Sequence, residues 1–133
     1  MKIVFESEFA KLAYEEDLKL LSIIWTDKKP SFEDYQRPFQ EALQYMDLKQ
    51  VENYISDIRN QGVISPDYRK WLQEIAIPDA AKKGLKRIVG VAELNIFKRY
   101  YINNVFNSAK KFGMPFKLFD TPEEAKKWFK KFD

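Results

Sequence analysis

The chain of 133 residues contains no cysteine and no histidine. Without cysteine there is no disulfide framework and no thiolate ligand for a metal ion. Without histidine the chain lacks the most common general base, the most common metal ligand and every catalytic triad that depends on an imidazole. We therefore expect a protein that is not an enzyme, has no catalytic residues and needs neither a cofactor nor a metal.

Other absences narrow the class of partner. No glycine-rich phosphate-binding loop is present, since neither G-x-G-x-x-G nor G-x-x-x-x-G-K-[ST] occurs in the sequence. The formal net charge is only +3, from 23 basic and 20 acidic residues. A dedicated nucleic-acid binder usually carries a strongly basic domain or stripe. We expect no nucleic-acid partner.

The sequence also lacks an apolar run long enough for a transmembrane helix or a signal peptide. It opens Met1-Lys2-Ile3-Val4-Phe5-Glu6, which is already charged and strand-like. These features predict a cytoplasmic protein that does not insert into a membrane.

The composition is that of one globular domain spanning residues 1–133, with 45% hydrophobic and 32% charged residues. Aromatic residues make up 16% of the chain. Aromatic side chains bury large areas, so this excess predicts a bulky core. The alternative is an aromatic groove that binds an apolar ligand or a helix of a partner.

Hydrophobic periodicity predicts an α/β fold with the element order β-β-β-α-β-α-β-α-β-α. Strands are expected at 2–6, 9–15, 18–25, 86–93 and 116–119. Helices are expected to begin at the caps Ser31, Ser65 and Thr121 and around Phe97. Strands that alternate with helices imply parallel βαβ units, and the short strands before them imply antiparallel pairing at the amino-terminal end.

Three helices have a predicted buried stripe. These stripes are Tyr68, Trp71, Leu72 and Ile75 in the second helix, then Phe97, Tyr101, Val105 and Ala109 in the third, then Ala125, Trp128, Phe129 and Phe132 in the last. Tyr100 falls off the third stripe and is the better candidate for a contact surface.

The segment from Lys49 to Ile58 is ambiguous. Its apolar residues fit helical spacing, whereas Val51, Tyr54 and Ile55 are strand-forming residues. Periodicity alone favours a helix here and does not decide between the two structures.

Several segments together resemble a known family. They are Tyr54-Ile55-Ser56-Asp57-Ile58-Arg59, Gly62-Val63-Ile64-Ser65-Pro66-Asp67, Trp71-Leu72, Gly84-Leu85-Lys86-Arg87-Ile88 and the ending from Phe119 to Phe129. The chain resembles STAS-type domains, also called SpoIIAA-like or anti-sigma-factor-antagonist-like domains, in the variant found as small stand-alone bacterial proteins. The resemblance covers the whole chain in element order.

The resemblance implies that 49–58 is a strand and that a mixed sheet is flanked by helices. It also implies a protein partner, because members of the wider family bind proteins. Some members use a switch serine in an Asp-Ser-Ser/Ala-Gly sequence, which this chain lacks; Ser65 stands at the comparable helix start and precedes a proline. The variant is also grouped with lipid-transfer folds, which implies an apolar ligand as an alternative.

The candidate binding residues are Asp57, Arg59, Ser65, Asp67 and Tyr100. Asp57 and Arg59 follow a predicted parallel strand, and ligands of open α/β sheets usually bind outside the carboxyl ends of such strands. Ser65 and Asp67 open the next helix, where backbone donors and the helix dipole favour an anionic group. The alternative for Asp57 and Arg59 is a turn cap with a surface ion pair, and for Ser65 an ordinary helix cap.

These features predict a non-enzymatic regulatory or protein-interaction module of STAS type. A carrier of a small apolar or lipid-like ligand is the alternative. The partner is expected to be another protein, and the sequence does not identify it.

Overall fold

The computed structural model describes residues 1–93 and 96–132, which form a six-stranded sheet in the order β1-β2-β3-β4-β5-β6. The strands are β1 (Lys2–Glu6), β2 (Ala10–Glu15), β3 (Leu20–Trp25), β4 (Asn53–Asp57), β5 (Arg87–Val91) and β6 (Phe116–Phe119). The helices are α1 (Phe32–Leu48), α2 (Pro66–Trp71), α3 (Ile77–Lys82), α4 (Ile96–Asn107) and α5 (Pro122–Phe129). A π-helical stretch, Leu72–Ala76, joins α2 to α3.

The sheet is mixed, as the sequence predicts. β1, β2 and β3 pair antiparallel, and β3, β4, β5 and β6 pair parallel. Every strand therefore lies beside its neighbour in the sequence, and the carboxyl ends of the four parallel strands point to the same edge. The α/β fold with antiparallel amino-terminal strands and flanking helices is confirmed.

Helices cover both faces of the sheet. The larger core lies beneath α1, α2, α3 and α4, and includes Trp25, Phe39, Leu72 and Ile102. The smaller core lies beneath α5 and is made by Leu18, Leu20, Ile55, Val89, Val91, Ala125, Trp128 and Phe129. Parallel strands are normally buried on both faces, and here every residue of β4 and β5 is buried.

The ambiguous segment forms a strand over Asn53–Asp57, and residues 49–52 precede it. Its backbone pairs on both sides, with β3 through Leu20–Asn53 and with β5 through Asn53–Arg87. Backbone pairing with the two neighbouring strands outweighs the helical spacing of the apolar residues. A central strand buries its side chains on both faces of the sheet, so its sequence need not alternate between apolar and polar residues.

Two of the three predicted helix caps form as the sequence predicts. The Ser31 hydroxyl accepts a hydrogen bond of 3.2 Å from Asp34 N, and Thr121 Oγ1 accepts one of 3.3 Å from Glu124 N. Gly113 ends the stretch after α4 in the left-handed region, with φ of 79°.

The predicted stripe of the second helix is wrong at Ile75, whose side chain is 54% exposed. The π-helical stretch inserts one extra residue per turn, so the buried face moves on to Ala76 and Ile77. Pro78 explains the wider turn, since it has no N–H to donate to the carbonyl four residues earlier. The helix then continues to Lys82.

Two other stripe residues are exposed. Phe97 is 82% exposed because it lies in the first turn of α4, whereas the core receives Ile102, Val105 and Phe106 further along. Phe132 is 48% exposed and stacks edge-on against Trp128, with their ring centroids 5.1 Å apart. The other members of the last stripe are buried as predicted.

Glu52 joins three strands at the amino-terminal edge of the parallel sheet. Its carboxylate lies 3.6 Å from Lys19 Nζ, 3.4 Å from Lys86 Nζ and 3.5 Å from Arg87 Nη2. Burial raises the pKa of this carboxyl, but the three cations outweigh burial and hold the pKa below its usual value of 4.5.

We predict that Glu52→Gln lowers the free energy of unfolding at neutral pH and that this loss shrinks in acid. The pKa of the folded state is lowered, so the stabilisation is present above pH 4.5 and is lost as the pH falls through the folded pKa. Urea titrations of both proteins across this pH range measure the effect. Glu74→Gln, at an exposed position, is the control, and an equal loss at every pH would contradict the prediction.

We predict that Trp128→Ala strongly destabilises the fold. Trp128 is buried against Phe119 and Phe129 at ring-centroid distances of 6.2 and 5.6 Å, and its removal leaves a cavity in the smaller core. Truncation of a buried aromatic residue costs about 3–5 kcal/mol. Thermal and urea denaturation measure the change, with Lys127→Ala on the exposed side of α5 as the control. Equal midpoints for the two variants would show that α5 contributes little to the core.

Candidate functional site

The candidate site lies at the carboxyl ends of the parallel strands. Asp57 ends β4, Ala92 and Glu93 follow β5, and Asp120 follows β6. In open α/β sheets this edge is the usual place for a ligand, since loops rather than strands control its chemistry. We call it the apical edge.

Asp57 and Arg59 form one compact unit. Asp57 Oδ2 accepts a hydrogen bond of 2.7 Å from Arg59 Nη2, and Oδ1 accepts bonds of 3.0 Å from Arg59 Nε and 3.2 Å from Arg59 N. The Asp57 side chain is only 4% exposed, whereas that of Arg59 is 41% exposed. The hydrogen bonds and charge of Asp57 raise the pKa of Arg59 above its usual value. This geometry matches the alternative interpretation, a turn cap with an ion pair, and leaves Arg59 as the accessible member.

Ser65 and Asp67 open α2 on the surface. Ser65 has the extended backbone of a helix cap, with φ of −66° and ψ of 155°, but its side chain forms no capping hydrogen bond. The expected hydroxyl cap is therefore wrong, although the position is right. Asp67 is exposed in the first turn. Within the described residues no hydrogen bond or ion pair connects either side chain to Asp57 or Arg59.

Large apolar side chains are exposed where the loop after β4 meets α4. The exposed fractions are 91% for Val63, 74% for Ile96, 82% for Phe97 and 71% for Tyr100. Ile96, Phe97 and Tyr100 share one side of α4 because residues three and four apart are neighbours on a helix. Val63 and Phe97 line the same surface groove. We call these four residues the apical patch; only Tyr100 was predicted to lie on a contact surface.

A groove of about 460 Å³ lies at this patch. Its lining includes Val63, Ile64, Arg69, Phe97, Lys98 and Tyr101. Lys98 fixes one side of it, because its Nζ donates to the carbonyls of Ile58 at 3.2 Å and Arg59 at 3.0 Å and lies 3.4 Å from Glu93. The start of α4 is thereby tied to the end of β4.

Polar side chains lie beneath the groove. Tyr101 Oη donates a hydrogen bond of 3.1 Å to Gln61 Oε1, and Gln61 is buried. The Arg69 guanidinium carbon is 5.8 Å from the centre of the Tyr101 ring. A small internal cavity of about 10 Å³ borders Arg69, Tyr101, Tyr35 and Ser56. Burial raises the pKa of Tyr101 to about 12 and that of Tyr35 well above its usual value, so both hydroxyls keep their protons at neutral pH.

Arg69 differs from the other cations of the apical edge. Arg59 pairs with Asp57, Lys98 with Glu93, and Arg99 with Asp120. Arg69 has no ion pair in the described part of the chain, and its Nε is buried without an acceptor there. No motif in the sequence marks this arginine, since a single basic residue in a helix is usually solvated.

A second cavity, of about 40 Å³, lies in the larger core between α1, α3 and the sheet. Among the described residues, only apolar atoms line it. The cavity is several times smaller than the cavity of about 150 Å³ that holds benzene in an engineered protein. Admission of a lipid chain would therefore require α1 and α3 to separate.

No cluster of three or more acidic ligands in residues 1–93 and 96–132 could hold a metal ion. Over the same residues, no helix is both long and apolar enough to cross a bilayer.

We predict that Arg59→Ala destabilises the protein because it leaves the buried Asp57 carboxylate without its guanidinium. Loss of a charged hydrogen-bond partner costs about 1–3 kcal/mol. The same substitution in an Asp57→Asn background should cost less, and urea denaturation of the four proteins gives the coupling free energy. Strictly additive changes would show that the two side chains do not stabilise each other.

Comparison of the chain with protein-family models, with curated proteins and with solved structures gives no match. Any function assigned to the chain therefore depends on the geometry of the apical edge and on the motifs of the sequence.

Proposed function

We propose that the protein is a non-enzymatic regulatory module of STAS type that binds a protein partner through the apical patch. The observation that carries the proposal is the exposure of Val63, Ile96, Phe97 and Tyr100 at the edge where α/β proteins bind. Soluble proteins rarely leave neighbouring large apolar side chains in water unless the surface binds something.

The energetics favour a protein partner. Full burial of one such side chain contributes about 1.5–3 kcal/mol, so a patch of this kind supplies the centre of an interface. Aromatic side chains are frequent among the residues that dominate binding energy, and the patch contains Phe97 and Tyr100. The cations around it, Lys98 and Arg99, are already paired with Glu93 and Asp120. Such a paired, charged surround resembles the polar rim of a protein interface.

The non-enzymatic part of the proposal has separate support. The sequence contains neither histidine nor cysteine. The best-placed carboxylate, Asp57, is occupied by three hydrogen bonds from Arg59 and is buried. A general base must reach its substrate, and a carboxylate held in this way is poorly placed to do so.

Loss of the patch should abolish partner binding without harm to the fold. We predict that Phe97→Ser combined with Tyr100→Ser weakens the partner's affinity by about a hundredfold or more, since each truncated hot-spot side chain costs about 2 kcal/mol and every ~1.4 kcal/mol is tenfold. The partner is first isolated on immobilised wild-type protein from the source cells, then purified and titrated by calorimetry.

The matched control is Leu48→Ser. Leu48 is 79% exposed and lies at the end of α1, away from the groove, so its loss removes a comparable apolar side chain. Equal affinity of the patch variant and wild type would contradict the proposal, as would equal weakening by Leu48→Ser. The proposal would also be contradicted if the immobilised wild-type chain captured no more partner protein than the immobilised patch variant does.

The second candidate function is transport or binding of a small apolar ligand. The apolar cavity between α1, α3 and the sheet is the observation that favours it. Native mass spectrometry of gently purified protein tests this candidate, because a bound hydrocarbon adds a defined mass. A spectrum with the protein mass alone would count against the carrier function.

A further inference from the structure

Arg69 carries a charge that no carboxylate in the described chain neutralises. The residue is half-buried, and its Nε is shielded from water without an acceptor. A buried donor that lacks a partner costs about 1–3 kcal/mol, and more when the group is charged. The neighbouring cations Arg59, Lys98 and Arg99 avoid this cost through their carboxylate partners. An anion in the groove would give the exposed part of the Arg69 guanidinium the counter-ion that it lacks.

The groove that Arg69 lines has the size and place of a ligand site. Its volume of about 460 Å³ falls within the usual range of small-molecule pockets, about 300–1,000 Å³. Its walls are mostly apolar, with Val63 and Phe97 on the outside and Tyr101 towards the interior. No carboxylate side chain lines it among the described residues. A negatively charged ligand would therefore meet cations and apolar surface there.

The charge of the site selects a monoanion. Lys98 also lines the groove, but its ammonium group already contacts two carbonyls and Glu93. Arg69 thus supplies the single positive charge without a counter-ion. A guanidinium binds a carboxylate through two parallel N–H bonds, and the two terminal nitrogens of Arg69 can form such a pair. A phosphate group with two charges would require a second unpaired cation.

We propose that this groove binds a small organic monocarboxylate with an aromatic or branched apolar body. The carboxylate accepts hydrogen bonds from Arg69, and the apolar body packs between Val63 and Phe97. The site does not depend on the proposed protein partner. It shares Val63 and Phe97 with the apical patch, so a bound ligand changes the surface that a partner meets.

The test uses the purified full chain and phenylacetate as the probe, with phenylacetamide as its uncharged counterpart. Titration by ligand-observed NMR and by calorimetry should give a dissociation constant for phenylacetate of about 1 mM or tighter, and an affinity for the amide that is about tenfold weaker. Inorganic phosphate should bind more weakly than phenylacetate. If phenylacetate does not bind, or if the amide binds equally well, the proposal is wrong.

Arg69→Met should weaken phenylacetate binding by about tenfold to a hundredfold, the factor expected for loss of a charged hydrogen bond. The phenylacetate affinity of Arg69→Lys should lie between those of the wild type and Arg69→Met, because lysine keeps the positive charge but cannot form the two parallel hydrogen bonds of a guanidinium. Lys70→Met, which removes an exposed lysine from the same helix, should bind as the wild type does. Equal affinities for Arg69→Met and Lys70→Met would overturn the proposal.

Two further measurements distinguish ligand binding at Arg69 from misfolding of the variant and from partner binding at the apical patch. Arg69→Met should keep or raise the melting temperature, since it removes a buried donor without a partner, so weaker binding would not reflect misfolding. Tyr100→Ser should leave phenylacetate affinity unchanged, because Tyr100 does not line the groove, whereas it should weaken binding of a protein partner. If Tyr100→Ser instead abolishes phenylacetate binding, the ligand sits on the patch and not at Arg69.

Discussion

The fold depends on the burial of the central parallel strands on both faces. Every residue of β4 and β5 is buried, so the chain must supply apolar cover on each side of the sheet. The connections α1, α2 to α3, and α4 lie on one face, and α5 closes the other. One consequence is that the loops after the strands meet at the apical edge, where every candidate binding residue is found.

The apical edge combines two environments within a short distance. Exposed apolar side chains form the outer surface, and a buried set of tyrosine, glutamine and arginine side chains lies below. Ion pairs neutralise most cations at this edge, and they also fasten α4 and the loop after β4 to each other. Arg69, which has no carboxylate partner among the residues described, lies where the two environments join.

Much of the fold could be predicted from the sequence because its signals are local. The caps at Ser31 and Thr121 and the left-handed Gly113 mark their helices directly. The strand Asn53–Asp57 is predicted only through the resemblance to STAS-type domains, since pairing with two neighbouring strands does not produce a distinctive periodicity. The exposed positions of Ile75 and Phe97 could not be predicted, because a π-helical stretch and the start of a helix beyond the core both break regular spacing. Arg69 could not be identified as a candidate from the sequence, because only the tertiary structure shows that its Nε is buried without an acceptor among the described residues.

The order of the elements has a consequence for synthesis on the ribosome. The strands lie in the sheet in the order of translation, so each strand pairs with the one that is synthesised immediately before it. The cover for its second face comes from α5, which is translated after all six strands. In a sheet without α5, Leu20, Ile55 and Val89 would be uncovered on one face. Truncation before α5 would therefore leave an exposed apolar surface of the kind that promotes aggregation.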